Sequence, residues 1–147
     1  MKYTEAKQGR AFIVRLEDGE ILHVEIEKLA RQERIRAAIV IAVGAADEGS
    51  RLVVGPADRA TRPVLPMEHA LGGVSEVAGV GTIIPNEAGD PILHMHVACG
   101  RKKATVTGCV RRGVKTWQVL EVVVIELLTA TARRVPDPAT GFEPLQP

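Results

Sequence analysis

Two histidines stand two residues apart in the apolar run Pro91-Ile92-Leu93-His94-Met95-His96-Val97-Ala98-Cys99, and a thiol follows in Thr105-Val106-Thr107-Gly108-Cys109. Successive side chains of a β-strand point to opposite faces, so residues two apart share a face. His94 and His96 on one strand therefore aim two imidazoles at one point. Two imidazoles and a thiolate are borderline-soft donors that suit zinc, with other divalent metals as alternatives. Three protein ligands leave one position open for water, substrate or a further side chain. The alternative for the same residues is structural: both histidines hydrogen-bond at a subunit interface, and Cys109 is a small buried residue.

A hairpin is needed to bring the thiol to the histidines. With Gly100 to Lys103 as a four-residue loop, Cys99 pairs with Ala104, His94 stands opposite Cys109 and His96 opposite Thr107. Directly opposed residues share a face. One face then carries His94, His96, Ala98, Thr105, Thr107 and Cys109, and the other is apolar. A one-residue slip would mix the two sets, which supports the facing. Cys99 falls on the apolar face and reads as core, which disfavours a Cys99–Cys109 disulfide.

Two acids are candidate catalytic bases. Glu76 lies among small and apolar residues in Gly73-Val74-Ser75-Glu76-Val77-Ala78-Gly79. It can orient a ligand histidine, act as a general base, or be an exposed edge-strand acid. Glu121 interrupts the apolar strand Val119-Leu120-Glu121-Val122-Val123-Val124. A five-residue loop after Arg112 sets it opposite Cys109; a four-residue loop turns it away. Glu126 is a weaker case of the same kind. His69 can swing in from the preceding loop as a further ligand or be a solvated loop histidine, and His23 reads as a surface residue of a helix. Arg101-Lys102-Lys103 and Arg111-Arg112 read as solvated turns that can touch anionic partners. No serine or threonine has a base at readable spacing, and Gly79-Val80-Gly81 lacks the helix that a phosphate-cradling loop requires.

The elements that position these residues fit one domain. The chain has 147 residues, 46% hydrophobic and 25% charged, ordinary proportions for a globular fold. The net charge of +1 and an aromatic content of 3% give little support to nucleic-acid binding through a basic surface or base-stacking rings. No apolar run approaches the roughly 20 residues of a membrane helix. The segment Met1 to Lys7 has no apolar signal core. The expected compartment is the cytoplasm, where thiols stay free to ligate metal.

Hydrophobic periodicity predicts strands over 11–16, 37–43, 51–54, 73–84, 92–99, 104–111 and 117–128, and one helix over 20–36 with Asp18 as its cap. Leu22, Ile26, Leu29 and Ala30 form the apolar stripe of that helix. Residues 56–71 read as a surface segment, and the glycines at 72, 73, 79 and 81 as places of close backbone approach or bulges. We expect residues 1–132 to form a single domain and 133–147 a Pro-rich tail, extended along another surface or frayed. The expected class is α+β, a curved, largely antiparallel mixed β-sheet packed with one main helix.

The order of these segments resembles the plants-and-prokaryotes-conserved (PPC) domain over roughly Gly9 to Leu128. The resemblance rests on Gly9-Arg10-Ala11-Phe12, the helix entry Asp18-Gly19-Glu20, Ala38-Ile39-Val40-Ile41-Ala42-Val43-Gly44, and Leu93-His94-Met95-His96. Gly73-Val74-Ser75-Glu76-Val77 is similar to the family's Gly-x-Phe-Glu-Ile strand, with Ser75 in place of phenylalanine. Thr107-Gly108-Cys109-Val110 stands where prokaryotic members often have Gly-Gly-His-Leu. The resemblance implies a compact α+β fold assembled as a homotrimer. It also implies a metal cluster at His94 and His96 completed at position 109, where cysteine replaces the third histidine. Plant members add a basic AT-hook built on Arg-Gly-Arg-Pro, which nothing in this chain matches.

Three functional readings follow. The first is a small trimeric zinc-binding protein of undefined activity, with Glu76 or Glu121 as the natural base if a metal-bound water is used. The second is a DNA-associated or regulatory module with a structural His/Cys cluster. The third is a trimer that binds a small molecule or a partner protein between subunits. None of them involves a membrane.

Overall fold

A computed structural model describes all 147 residues. Ten strands, one α-helix and one 3-10 turn follow in the order β1 (Lys7–Glu17), α1 (Leu22–Gln32), β2 (Ala38–Ala46), β3 (Arg51–Pro56), β4 (Pro66–Ala70), β5 (Ser75–Pro85), β6 (Pro91–Arg101), β7 (Ala104–Cys109), the turn Val110–Arg112, β8 (Thr116–Leu128), β9 (Arg133–Arg134) and β10 (Leu145–Gln146). The first eight strands form one sheet in the order β1-β8-β2-β5-β6-β7-β3-β4. Every pair in it is antiparallel, so the expected α+β class holds while the sheet is not mixed.

The helix covers one face of this sheet. Leu22, Ile26 and Ala30 recur every fourth position and are buried, the spacing that keeps one helical stripe on a core. They meet Val40, Val77, Leu93, Met95, Val97, Leu120, Val122 and Val124 in one cluster. Full burial of Leu22 and of Ile26 contributes about 1.5–3 kcal/mol each.

The helix is shorter than its periodicity predicts, and both ends have a physical reason. Asp18 does not cap it; the Asp18 carboxylate accepts the Gln118 backbone N–H at 2.7 Å. The start is fixed instead by main-chain bonds to a neighbouring segment, Leu22 N–H to Val114 O and Thr116 N–H to Glu20 O. At the far end Arg34 enters the left-handed region at φ 56°. Ile35 N–H then bonds Ala30 O, and Arg34 N–H bonds Arg31 O. This is the Schellman closure, which glycine usually makes and arginine makes here.

Two further expectations gain detail. The surface segment 56–71 contains β4, which pairs with β3 at the sheet edge. The tail lies along the surface of the sheet domain, where Arg134 bridges Asn86 just after β5, and it also folds back on itself, β9 pairing with β10. Ala132 in the tail packs with Ala37 and Ile84 in a small second cluster.

The other face of the sheet is open. Register aligns Ile13, Val123, Ile41, Val80 and His96 in one row across five strands. Ile13 is 90% exposed and Val80 62%, with Ile41 and Val43 also exposed.

Candidate metal centre

The site is built where β6 and β7 meet. Along β6 the residues Leu93, Met95, Val97 and Cys99 are buried, while His94 and His96 face the other way. The two imidazole centroids lie 5.1 Å apart with their planes perpendicular. Cys109, the last residue of β7, stands directly opposite His96. The ligand-type atoms of His94, His96 and Cys109 all lie within 4.8 Å of one another.

The facing expected from the sequence is therefore correct, and the register is not. The hairpin turns on two residues, Lys102 and Lys103, with Arg101 paired to Ala104. His96, not His94, is opposite Cys109, and Ala98 is opposite Thr107. Gly100 reads as a loop residue but stays in the strand. Lys102 takes the positive φ of 55° that the tight turn needs. The difference is an even number of residues, so no side chain changes face.

Strand β6 is held close to β5 by two glycines. A Cβ on Gly81 would come within 2.6 Å of His94 O and of Met95 Cα, and one on Gly79 within 2.8 Å of His96 O. These are the close approaches that the glycine pattern predicts. They place the main chain of both histidines against β5, so the imidazoles project from a fixed base.

The electrostatics favour the metal-binding forms. Burial alone would push the Cys109 thiol up, but the His94 side chain, the Arg111 backbone N–H and the Arg111 guanidinium bring it down to about 6. The Arg111 Nε donates to Sγ at 3.3 Å. Burial, then the neighbouring His94 and Arg111, lowers His96, which favours its neutral imidazole. A metal takes up thiolate and neutral imidazole, so little proton release stands in the way of binding. In tetrahedral zinc coordination the three donor atoms would lie about 3.3–3.6 Å apart, so the side chains need to close by about an ångström from the separations here. The donor set and its geometry fit zinc.

Cys99 behaves as expected of a core residue: it belongs to the main cluster, and burial raises its thiol to about 11.

The acids are not among the converging groups. Glu76 is exposed on β5 and pairs with Ala45 and Gly100. Val80 is opposite His96, so Glu76 lies four residues, about 13 Å, along the strand from the site. Glu121 faces Arg15 on β1 and Val43 on β2, because β8 pairs with those strands and not with β7. The loop after Arg112 is no hairpin, and both loop lengths considered for it fail for that reason. Glu126 is held by Arg10 at 2.8 Å, away from the site. His69 belongs to β4 and lines a separate hollow of about 380 Å³ with Arg101, Lys102 and Lys103. His23 is half-buried in α1 rather than fully at the surface.

Two neighbours of the site have roles that the sequence reading does not assign. Arg111 follows Cys109 by two residues and reads as part of a solvated turn able to touch anionic partners, with no sign of its contact with the thiol. Arg134 lies in the tail, and only the packing of the tail reveals that it reaches the charges of Arg111 and Cys109.

Residues 3–128 match the profile of the Plants and Prokaryotes Conserved (PCC) domain family. Among solved structures, a metal-containing protein from Archaeoglobus fulgidus superposes with a TM-score of 0.84 at 25% identity, with all of both chains covered. A plant- and prokaryote-conserved (PPC) protein from Pyrococcus horikoshii gives 0.80 at 22%, again with all of both chains covered. A candidate DNA-binding protein from Bacteroides thetaiotaomicron gives 0.74 at 16%, with 96% of each chain covered. By sequence, the chain is 28% identical over 136 residues to the bifunctional protein GlmU of a Synechococcus strain. That match takes in 90% of this chain and spans only about a fifth, 20%, of the longer protein.

Proposed function

The chain belongs to the Plants and Prokaryotes Conserved domain family, and within it we propose a homotrimeric zinc-binding protein whose metal is held by His94, His96 and Cys109. The observation that carries this reading is the convergence of three ligand-type side chains, from two strands, to within 4.8 Å. The metal-containing relative from Archaeoglobus fulgidus agrees with it. When bound, zinc with three protein ligands supplies one Lewis-acidic position for water or another ligand. His94 and His96 orient that ion through strand geometry, and Arg111 holds Cys109 in its thiolate form. No carboxylate of the chain stands beside the three ligands, so the reading is of metal binding rather than of a hydrolytic reaction with Glu76 or Glu121 as base.

The open sheet face supports the homotrimer. Exposed Ile13, Ile41, Val43 and Val80 form the kind of contiguous apolar surface that usually marks a subunit contact. His96 stands at the end of this row, so subunits meeting there would close over the open coordination position. No helix is long and apolar enough to cross a membrane, and a cytoplasmic setting suits a free thiolate ligand.

Metal analysis of protein purified without an affinity tag or nickel tests the central assignment. About one zinc per chain is expected. A small fraction of that, with no uptake on adding zinc, removes it.

A second reading, a DNA-associated or regulatory module, is favoured by the basic hollow beside Arg101, Lys102 and Lys103 and by the name of the Bacteroides neighbour. Absence of duplex binding at low salt, where phosphate contacts are strongest, removes that reading. It would leave a small molecule or a partner protein as the ligand between subunits.

A further inference from the structure

Arg134 presents an anomaly. It is only 7% exposed, and its Nε is buried without a hydrogen-bond partner. Its one side-chain contact is NH1 donating to the Glu143 backbone carbonyl at 3.3 Å. None of the chain's ion pairs includes Arg134 or Arg111. A buried guanidinium with no carboxylate is costly unless an anion satisfies it.

The tail carries Arg134 to the metal side of the sheet. Ile84 on β5 pairs with Ile92 on β6, and Ile92, His94 and His96 alternate onto one face. Ala132 and Ala130 pack on Ile84 in the second cluster, and two residues later Arg134 bridges Asn86. The tail thus returns onto the face of the sheet that carries the histidines, at the Ile84 end of β5. Burial and the positive charge of Arg111 depress Arg134, while Glu143 and Cys109 act in the opposite direction. Arg111 in turn contacts Sγ at 3.3 Å.

A divalent ion with two neutral imidazoles and one thiolate carries a net positive charge. Arg111 and Arg134 add two more; neither is in an ion pair, and Glu143 offsets Arg134 only through longer-range attraction. We propose that Arg134 and Arg111 form the anion-binding half of the metal centre, so that the ligand completing the coordination is a small oxyanion. Its carboxylate or phosphate oxygens would bind the metal and one or both guanidiniums. This inference rests on the proposed metal site and adds the chemical class of its ligand.

The test uses cobalt(II)-loaded protein, whose visible spectrum reports the coordination of the ion independently of any activity. Inorganic phosphate, acetate and neutral imidazole are titrated separately, and the first two distinguish a phosphate-type from a carboxylate-type ligand. Saturable perturbation by at least one oxyanion is expected. Loss of a charge-assisted contact in Arg134→Met should weaken that oxyanion by about 10- to 100-fold, with cobalt affinity and imidazole binding within about twofold. Arg111→Met, at an exposed position, gives a second reading of the oxyanion loss alone, taken on cobalt-saturated protein because this variant also raises the Cys109 thiol, if the buried variant does not fold. Cobalt uptake without a response to either oxyanion would overturn this inference and leave the metal site standing. Unchanged oxyanion affinity in both arginine variants would overturn it equally. Failure to take up cobalt would overturn the metal site and this inference together.

Discussion

The two cysteines should titrate far apart, and the separation tests the electrostatics of the site without any metal. In chelator-stripped protein burial raises both thiols, and only Cys109 has groups that reverse it: the His94 side chain, the Arg111 N–H and the Arg111 guanidinium. Cys109 then has a midpoint of about 6 and Cys99 one of about 11. At pH 7, one unit above its midpoint, Cys109 carries about ten thiolates per thiol. Cys99, four units below its own, carries about one thiolate in ten thousand. Thiolate ultraviolet absorbance, followed against pH in the wild type, Cys99→Ala and Cys109→Ala, reads these midpoints directly. The step near pH 6 should survive Cys99→Ala and vanish in Cys109→Ala. Arg111→Met should move it upward, toward the ordinary thiol range. The sign of the linked stability follows: a depressed acid stabilises the fold above the ordinary thiol pKa of about 8.5, and the contribution is lost as pH falls through about 6. Apparent zinc affinity should fall by at least about tenfold per pH unit below that midpoint, as proton competes with metal for the sulfur. A Cys109 midpoint at 8 or above, or one indifferent to Arg111→Met, would refute the reasoning.

Three other perturbations probe the scaffold. Gly81→Val forces a side chain into the space held by His94 O and Met95 Cα. It should cost about 1–3 kcal/mol or more in denaturant unfolding and reduce zinc stoichiometry, because β6 must move away from β5. Arg10 depresses the Glu126 carboxyl, chiefly through their hydrogen bond; stability from that pair is present above about pH 4.3 and lost as pH falls through the lowered value. Glu126→Gln should therefore flatten the acid limb of thermal melting curves, and an unchanged limb would contradict the assignment. Ile41→Asp places a charge in the middle of the open apolar row, and if that row is the contact of the proposed trimer, sedimentation should register smaller species than the wild type with the far-ultraviolet spectrum retained.

Much of this architecture is legible in the sequence where periodicity and a buried face coincide. The alternation of Leu93, Met95 and Val97 with His94 and His96 fixes which way each side chain points, because the core accepts only one set. Register is less well determined: a slip of two residues preserves every facing, and only the conformation of Lys102 decides between a two- and a four-residue turn. Strand order is a long-range property. Nothing within Val119 to Val124 announces that β8 pairs with β1 and β2, and the position of Glu121 depends entirely on that choice. Arg134 is the extreme case, since its role depends on a tail folding back onto the sheet, and no local pattern in a Pro-rich segment encodes that return.

X-ray absorption at the zinc edge, on protein purified with its own metal, tests the account most directly. A zinc ion held by His94, His96 and Cys109 gives one sulfur at about 2.3 Å and a shell of nitrogen or oxygen at about 2.0–2.1 Å, with the sulfur lost in Cys109→Ser and kept in Cys99→Ser. A zinc shell without sulfur in the wild type, or one whose sulfur survives Cys109→Ser, would contradict the account.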